Sequence, residues 1–359
     1  MFSLKDLRIP IIAAPMAGGA STPALVRSLS VGGGLGFLAA GYKTPDALAR
    51  QIADVHQGSR PPYGVNVFVP GPPLTDQAGV DAYRRSLAAT ALEHGVELPP
   101  TLAADDDWFS AKVSLLIGHR VPVVSFTFGL PPAEAVDGLH AVDACVIATV
   151  TSVREAVLAE ERGVDVLCVQ GPEAGGHRAT FTTAEEPETT PLIVLVRAIS
   201  DLVVLPLIAA GGIHSGAGIA TLLAAGADAV QLGTAFLRTA ESGAQQAHKD
   251  ALVDPNFDRT VVTRAFSGRP ARGLRNAFII EHDATAPRAY PQVNHLTSGL
   301  RADAGRRGDA DGLALWAGTG FRSARAEPAA DVLTRLWQDA RVSPSQRPVS
   351  NQFDGDFDV

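Results

Sequence analysis

The feature that most constrains the fold is an alternation of short apolar segments and helical patterns that continues to about residue 236. The apolar segments are rich in aliphatic and β-branched residues and read as buried strands at residues 11–17, 35–40, 63–69, 121–128, 144–150, 164–170, 206–210 and 229–236. Ser21-Thr22 and Thr44 each precede a proline, which is typical of a helix start capped by Ser or Thr. Eight strand–helix units in one chain of this length predict a (β/α)8 barrel, or TIM barrel, in preference to a doubly wound sheet.

Outside the alternation, the chain contains three further regions. A barrel is predicted at residues 1–254, with an insertion after its third strand at 70–120. A C-terminal helical segment packed on the barrel is predicted at 255–341, and a flexible tail at 342–359. The insertion is predicted to contain two helices, and the C-terminal segment to include helices at 309–317 and 329–340. The tail has few apolar residues, and chain ends of this kind are commonly poorly ordered.

The charge balance excludes several classes of partner. The chain has 30 Lys and Arg against 38 Asp and Glu, a net charge of -8, so no basic surplus is available for nucleic acid or an anionic membrane. The apolar runs are shorter than the roughly 20 residues needed to span a bilayer, and the N-terminus lacks a signal-peptide pattern. We therefore expect a soluble cytoplasmic protein, a monomer or homodimer. Cys145 and Cys168 lie in strand-like segments and are predicted to be inert core thiols.

The two loops after the seventh and eighth predicted strands have a composition suited to phosphate, and these loops commonly bind phosphate in a barrel. The first contains AAGGIHSG at 209–216, where glycines let backbone amides approach an anion just before a helix. The second contains QLGT at 231–234, which adds a glycine amide and a hydroxyl group. Such glycines can also serve only to make tight turns. Because both loops are involved, we predict that they bind a phosphorylated ligand.

Seven segments, in chain order from about residue 11 to 337, resemble the nitronate monooxygenase family, formerly called 2-nitropropane dioxygenase. They are APMAGG from residue 14, GVNVFVP from 64, SFTFGLP from 125, QGPEAGGH from 170, AAGGI from 209, QLGTAFL from 231 and TRAFSGRPARG from 263. The resemblance implies an FMN-dependent barrel enzyme. Its reaction would be the oxidation of alkyl nitronates by O2 to a carbonyl compound and nitrite, through a flavin semiquinone and without NAD(P)H.

The resemblance also implies roles for individual residues. It places the FMN-binding positions at Ala14, Pro15, Met16, Asn66, Gln170, Gly175, Gly176, Gly211, Gly212, Gln231, Gly233 and Thr234. The first three would line the flavin ring with their backbone, and the side-chain amides at 66 and 170 would contact the cofactor. The glycines at 175 and 176 would let their loop approach the flavin, and the last five residues would surround its phosphate.

The histidine of the EAGGH segment is His177, and the resemblance implies that it is catalytic. A lone histidine in a turn is more often structural, but its position at the end of the sixth predicted strand favours a catalytic role. Two roles stay open, because an imidazole titrates near neutral pH. It could hydrogen-bond to or neutralise the nitronate oxygens, or it could remove the α-proton of a neutral nitroalkane. Glu173 is predicted to anchor the loop, and His214 to be a turn residue.

Two charged clusters are interpreted as structural. The carboxylates of residues 105–107 precede Trp108 and suit a helix start, where the helix dipole favours negative charge. A group of arginines near the C-terminal segment is predicted to form a solvated or domain-bridging face: Arg264, Arg269, Arg272 and Arg275. No spacing of His, Cys and Asp indicates a metal site.

Other functions stay open. The FMN-dependent enoyl-acyl-carrier-protein reductase is similar in fold, phosphate loops and the GGH turn, but it requires NAD(P)H. A non-catalytic barrel that binds flavin or another phosphorylated ligand is a further alternative, whereas a dehydrogenase of the inosine-monophosphate type would need a loop cysteine. The chain also has Ala13 and Ala14 where many family members have Gln, which puts the preferred nitronate size in question. We hypothesise detoxification of nitro compounds such as propionate 3-nitronate.

Overall fold

The computed structural model describes residues 1–57, 61–101 and 104–342. Its strands are β1 (Ile11–Ala13), β2 (Leu35–Ala39), β3 (Gly64–Phe68), β4 (Val123–Thr127), β5 (Cys145–Val150), β6 (Val166–Gln170), β7 (Gly176–His177), β8 (Leu207–Ala210), β9 (Ala229–Leu232), β10 (Thr260–Thr263) and β11 (Ala271–Leu274). The predicted flexible tail lies outside the described residues, except for Val342. Within these residues, no helix has both the length and the apolar composition that a membrane crossing requires.

Helices surround the strands on their outer side. They are α1 (Pro23–Gly32), α2 (Pro45–Val55), α3 (Gln77–Ser86), α4 (Ala88–Glu93), α5 (Phe109–Gly118), α6 (Ala133–His140), α7 (Val153–Glu161), α8 (Leu192–Ser200), α9 (Gly216–Ala224), α10 (Thr234–Leu237), α11 (Gln246–Ala251), α12 (Ala277–His282), α13 (Gln292–Arg307) and α14 (Ala329–Arg341). As the sequence indicates, Thr22 and Thr44 cap α1 and α2 through their side chains, and proline follows each cap.

Eight parallel strands close into a barrel, in the order β1-β2-β3-β4-β5-β6-β8-β9. Strand β1 closes the barrel by pairing with both β2 and β9. Its Ile12 lies opposite Leu35 of β2 on one side and Gln231 of β9 on the other. Strands covered on both faces are expected to be apolar throughout, and the residues of β2 and β5 are all buried. The predicted (β/α)8 barrel is therefore confirmed. Side chains such as Phe37 and Ile147 fill its interior.

Two barrel strands end earlier than their apolar patterns suggest. The segment predicted at 11–17 is a strand only to Ala13, since Pro15 has no N–H to donate to a neighbouring strand. The segment predicted at 229–236 is a strand only to Leu232, and the short helix α10 follows. Both strands therefore end at the same rim of the barrel, and the residues that follow them lie outside the strands.

The insertion is helical, but its described residues, 70–101 and 104–120, contain three helices and not two. The first two, α3 and α4, contribute to a second core with α12 and α13 that includes Tyr83, Phe266 and Val293. The hydroxyl of Tyr83 donates to the carbonyl of Ala265 at 2.6 Å. The third helix, α5, packs against β3 of the barrel. The insertion therefore connects the barrel to the C-terminal segment.

The C-terminal segment, predicted as helical, also contains two strands. Strands β10 and β11 form an antiparallel sheet whose third strand is β7, from the loop after β6. The helix predicted at 309–317 is a single 3-10 turn, Ala310–Gly312, and Trp316 then bridges to Gly273. Strands of two to four residues carry too little periodicity to be recognised locally. The helix predicted at 329–340 is confirmed as α14, which packs against α1 and α9.

Candidate active site

A cavity of about 440 Å³ lies at the C-terminal ends of the barrel strands. This volume is typical of small-molecule sites, which range over about 300–1,000 Å³. The cavity is lined by every residue that the sequence analysis proposed for the site, namely Ala14, Pro15, Met16, Asn66, Gln170, Gly175, Gly176, His177, Gly211, Gly212, Gln231, Gly233 and Thr234. Parallel strands bring their carboxyl ends to one rim, which explains why residues so distant in the chain meet there.

Side-chain amides and hydroxyls at strand ends form the floor of this cavity. The buried amide of Asn66 donates to the hydroxyls of Ser125 and Thr127, each at 2.9 Å. The amide of Gln231 donates to the sulfur of Cys168 at 3.4 Å. Cys168 is buried in β6 as predicted, and burial raises the pKa of its thiol to about 12. The thiol is therefore protonated at neutral pH and is not a nucleophile.

The loop after β8 has the backbone geometry of an anion cradle. Gly211 and Gly212 have φ of +125° and +65°, which only glycine adopts readily. A Cβ on Gly212 would lie 2.6 Å from the Cβ of Glu173, so the loop also needs glycine for close packing. Within the described part of the chain, the N–H groups of Gly212 and Ile213 donate to no backbone carbonyl. Unpaired donors at a cavity wall suit an anionic ligand.

The loop after β9 completes the cradle in a different way. Gly233 has φ of -105°, and an added Cβ would have ordinary contacts, 3.5 Å to Ala14 Cβ and 3.6 Å to Met16 Sδ. Its N–H also donates to no backbone carbonyl among the described residues. The hydroxyl of Thr234 accepts from the N–H of Gly318 at 3.0 Å. Nothing in the fold of the protein alone therefore requires glycine at 233, in contrast to Gly212.

The loop that carries His177 is held by Gln170. The side-chain amide of Gln170 donates to the carbonyl of His177 at 3.0 Å, and its oxygen accepts from the N–H of Ala179 at 2.9 Å. Gly176 has φ of +77° and faces open space, whereas a Cβ on Gly175 would lie 2.5 Å from the backbone of Ala317. Gln170 thus anchors the histidine loop in addition to lining the cavity.

The carboxylate of Glu173 and the ring of His214 have local partners near the cradle. Glu173 accepts from the N–H of Leu192 at 3.3 Å, in agreement with the predicted anchoring of its loop. His214 bonds through Nδ1 to the carbonyl of Gly212 at 2.8 Å and also lines the cavity. Its position within the Gly212 loop agrees with the predicted turn role.

His177 stands in an aromatic enclosure at the cavity wall. Its ring centroid lies 5.7 Å from that of Phe128, 5.8 Å from Tyr290 and 5.4 Å from Trp316. Burial, followed by the charges of two arginines, lowers the pKa of His177 to about 3. The pKa of this imidazole therefore lies below the near-neutral range that its residue type suggests. The ring is uncharged at neutral pH, so it cannot neutralise an anion by its own charge.

The positive charge near His177 comes from Arg269 and Arg301 instead. Arg269 is 1% exposed, and its guanidinium lies 4.1 Å from the centre of the Phe128 ring. Arg301 lines the cavity and bonds to the carbonyl and side-chain oxygens of Asn294, both at 2.8 Å. The hydrogen bonds of these two guanidiniums go to neutral acceptors in the described residues. Two cations without a carboxylate partner among these residues, of which Arg301 lines the cavity, favour an anionic ligand.

The arginines predicted as one face have separate environments. Arg269 bonds to the carbonyl of Thr180 at 2.7 Å, and Arg272 to that of Pro172 at 2.9 Å, so both bridge the C-terminal segment to the barrel loop. Arg264 pairs with an exposed glutamate, and Arg275 is exposed. Because the partner of Arg264 is Glu186 of the same loop, three of the four arginines bridge the two regions and Arg275 is solvated, as the interpretation allowed. Arg301 was not identified from the sequence, since the mixed polarity of α13 does not distinguish its cavity side.

The carboxylates at 105–107 lie just before α5, as predicted, but they also have long-range partners. Asp107 pairs with the fully buried Lys112 at 2.7 Å and accepts from the N–H of Tyr42 at 3.0 Å. Asp105 pairs with His295 of α13 at 2.9 Å. Because Tyr42 lines the cavity, these contacts join the insertion to the cavity rim.

Acid sensitivity of folding follows from two histidines of the cavity wall. Burial lowers the pKa of His177 to about 3 and that of His248 to about 4, from an ordinary 6.5. Between pH 6.5 and these values the unfolded chain binds protons that the folded protein does not, so the free energy of unfolding falls as pH falls. We expect His248→Gln to lose less stability than the wild type when the pH is lowered from about 7 to about 5.

The substitution retains a donor for the carbonyl of Trp316, which His248 bonds at 3.1 Å. Thermal unfolding of both proteins at the two pH values measures the difference. An equal loss of stability in the two proteins would contradict the assignment of His248 as a buried neutral group.

The chain is similar in sequence and in structure to several known proteins. A sequence model of the family described as nitronate monooxygenase matches residues 3–339. A Bacillus subtilis protein named "Probable nitronate monooxygenase" is 38% identical over 89% of this chain and 92% of its own length. The solved structure of nitroalkane oxidase from Streptomyces ansochromogenes is 45% identical, covers 94% of this chain and 96% of its own, and superposes with a TM-score of 0.89. FabK from Thermotoga maritima is 28% identical with a TM-score of 0.73, over 94% of each chain.

Proposed function

The chain belongs to the nitronate monooxygenase family, and from this premise we propose that it is an FMN-dependent oxidoreductase. Its reaction would be the oxidation of alkyl nitronates by O2 to a carbonyl compound and nitrite, without NAD(P)H. The observation that carries the proposal is the charge of the cavity. Among the described residues that line it, none is acidic, whereas Arg301 and Arg335 are both present. A nitronate and the phosphate of FMN are both anions.

The residues present fit FMN. Its phosphate suits the two glycine loops, where the N–H groups of Gly212, Ile213 and Gly233 are unpaired within the described residues. Arg335 lies on α14, which packs on the helix that follows the Gly212 loop. The side-chain amides of Asn66 and Gln231 supply polar groups along the cavity floor. When bound, FMN would accept electrons from the substrate and pass them to O2.

The protein itself would bind and orient the substrate. Arg301 and Arg269 would stabilise the negative charge of the nitronate oxygens, at low cost of reorganisation because both guanidiniums are already held by neutral acceptors. Phe128, Tyr290 and Trp316 surround the neutral ring of His177 and would exclude water from the reacting atoms. With a neutral nitroalkane, the same histidine would remove the α-proton.

Oxygen consumption tests the proposal directly. The purified protein, reconstituted with FMN, is given propionate 3-nitronate or a short alkyl nitronate without NAD(P)H. We expect rapid oxygen uptake and release of nitrite. Activity on the carboxylated nitronate would also support a role in detoxifying such compounds.

Two results would point elsewhere. If the bound flavin stayed idle until NAD(P)H and an enoyl thioester were supplied, the protein would be an enoyl reductase. If the flavin reacted with neither set of substrates, the non-catalytic alternative would hold. Absence of flavin binding altogether would remove the basis of the proposal.

A further inference from the structure

Ser267 lies directly behind His177, in the SGRP turn that also contains Arg269, and the proposed reaction assigns no role to this serine. It is 1% exposed, and its Oγ lies 2.9 Å from Nε2 of His177. The turn is tightly packed, since the next residue, Gly268, has φ of +79° and a Cβ there would lie 2.4 Å from the carbonyl oxygen of Ala289. The hydroxyl is therefore held in place relative to the imidazole ring.

The hydrogen bonds around Ser267 determine which ring nitrogen carries the proton. A serine hydroxyl has one proton to donate and two lone pairs to accept. Oγ donates to the carbonyl of Arg269 at 3.1 Å and accepts from the N–H of Arg269 at 3.3 Å. Within the described residues no other donor reaches that carbonyl, and a buried carbonyl is rarely left unpaired. The only remaining capacity of Oγ is to accept, so Nε2 of His177 must be the donor.

We propose that Ser267 is a positioning residue that holds His177 as the Nε2–H tautomer and leaves Nδ1 as the nitrogen that accepts a proton. The inference rests on the proposed function and names the ring nitrogen through which the histidine would take the α-proton. An imidazole whose single N–H is given to Ser267 has no proton to donate to nitronate oxygens. It can instead accept the α-proton of a neutral nitroalkane.

The step is a single proton transfer from the α-carbon of the nitroalkane to Nδ1 of His177. The C–H bond at the α-carbon breaks, its electron pair remains on the substrate as the nitronate, and the proton forms a new N–H bond at Nδ1. The imidazolium formed keeps its Nε2–H bond to Ser267 and later releases the proton to solvent. The guanidiniums of Arg269 and Arg301 stabilise the nitronate as its charge develops. Preformed nitronates do not need this step.

The tautomer can be observed without any substrate. In the FMN-loaded protein labelled with 15N-histidine, long-range 1H–15N spectra assigned with His177→Gln should show Nε2 protonated and Nδ1 unprotonated. The opposite pattern would overturn the proposal, whatever the activity of the protein. This measurement also separates the proposal from the proposed function, which would fail if no nitronate or nitroalkane were oxidised.

The kinetic test compares a neutral nitroalkane with the corresponding preformed nitronate. In Ser267→Ala, kcat/KM for nitroethane should fall about 10- to 100-fold, because catalysis by a correctly placed base contributes about 10²- to 10⁴-fold and the ring would lose its orientation. For ethyl nitronate the loss should be under about threefold, since no proton is removed from that substrate. Ser86→Ala, a serine of α3 that bonds only the nearby Tyr83 carbonyl, is the matched control. Equal losses on both substrates would contradict the assigned role.

Discussion

Replacing His177 with Gln is expected to lower kcat/KM for a neutral nitroalkane by about 10²- to 10⁴-fold, while the protein retains its flavin. Gln can still donate to Ser267, which accepts from Nε2 of His177 at 2.9 Å, but it cannot take up a proton. The aromatic enclosure and the guanidinium groups of Arg269 and Arg301 remain in place. The corresponding preformed nitronate should therefore be oxidised with a much smaller loss.

The measurement is oxygen uptake with nitroethane and with ethyl nitronate, together with the flavin absorbance of each variant. His119→Ala, an exposed histidine at the end of α5, serves as the control and should behave as the wild type. Comparable losses on both substrates would mean that His177 binds the substrate and does not act as a base. Loss of flavin from His177→Gln would mean that the residue holds the cofactor.

The substitution Gly233→Ala, which adds one methyl group, is expected to weaken FMN binding without affecting the fold. The backbone at this position has φ of -105°, and an added Cβ would lie no closer than 3.5 Å to any described protein atom. The free energy of unfolding of the apoprotein should therefore change by less than about 0.5 kcal/mol in Gly233→Ala. The methyl narrows the cradle between the end of β9 and Ala14. Loss of one charged hydrogen bond there would raise the Kd of FMN about 10- to 100-fold.

Fluorescence titration of the apoprotein with FMN and with riboflavin isolates the phosphate contribution. Riboflavin has no phosphate, so its affinity should change much less than that of FMN. Gly118→Ala, where an added Cβ would meet open space, is the matched control. An unchanged Kd for FMN in Gly233→Ala would place the phosphate elsewhere. Gly212→Ala is less informative, because its φ of +65° and the 2.6 Å approach to Glu173 would disturb the loop itself.

The barrel and the residues that line its cavity could be predicted, because both depend on the order of the strand and helix segments along the chain. Alternating apolar and helical patterns identify strand–helix units locally, and parallel strands must end at one rim. Residues as far apart as Ala14 and Thr234 are therefore expected to meet once the fold class is known. The helix caps at Thr22 and Thr44 and the buried positions of Cys145 and Cys168 follow from equally local rules.

The short sheet that supports the histidine could not be predicted in the same way. His177 lies opposite Ala271, and the two strands involved have two and four residues. Segments of that length carry no periodic signal, and their pairing depends on a turn that packs against Ala289. The partner Ser267 and the bridging Arg269 are consequences of this sheet, so neither could be assigned from its own neighbours in sequence.

The eight-fold repeat of strand and helix, the positions of the two glycine loops and the place of His177 after the sixth strand depend on residues close together in the chain, so they could be predicted. The environment that lowers the pKa of that histidine arises only in the folded protein. Its pKa depends on desolvation by the aromatic rings and on the charges of Arg269 and Arg301, which lie about a hundred residues away. Electrostatic energies depend on distance and burial in space, and local sequence patterns contain neither.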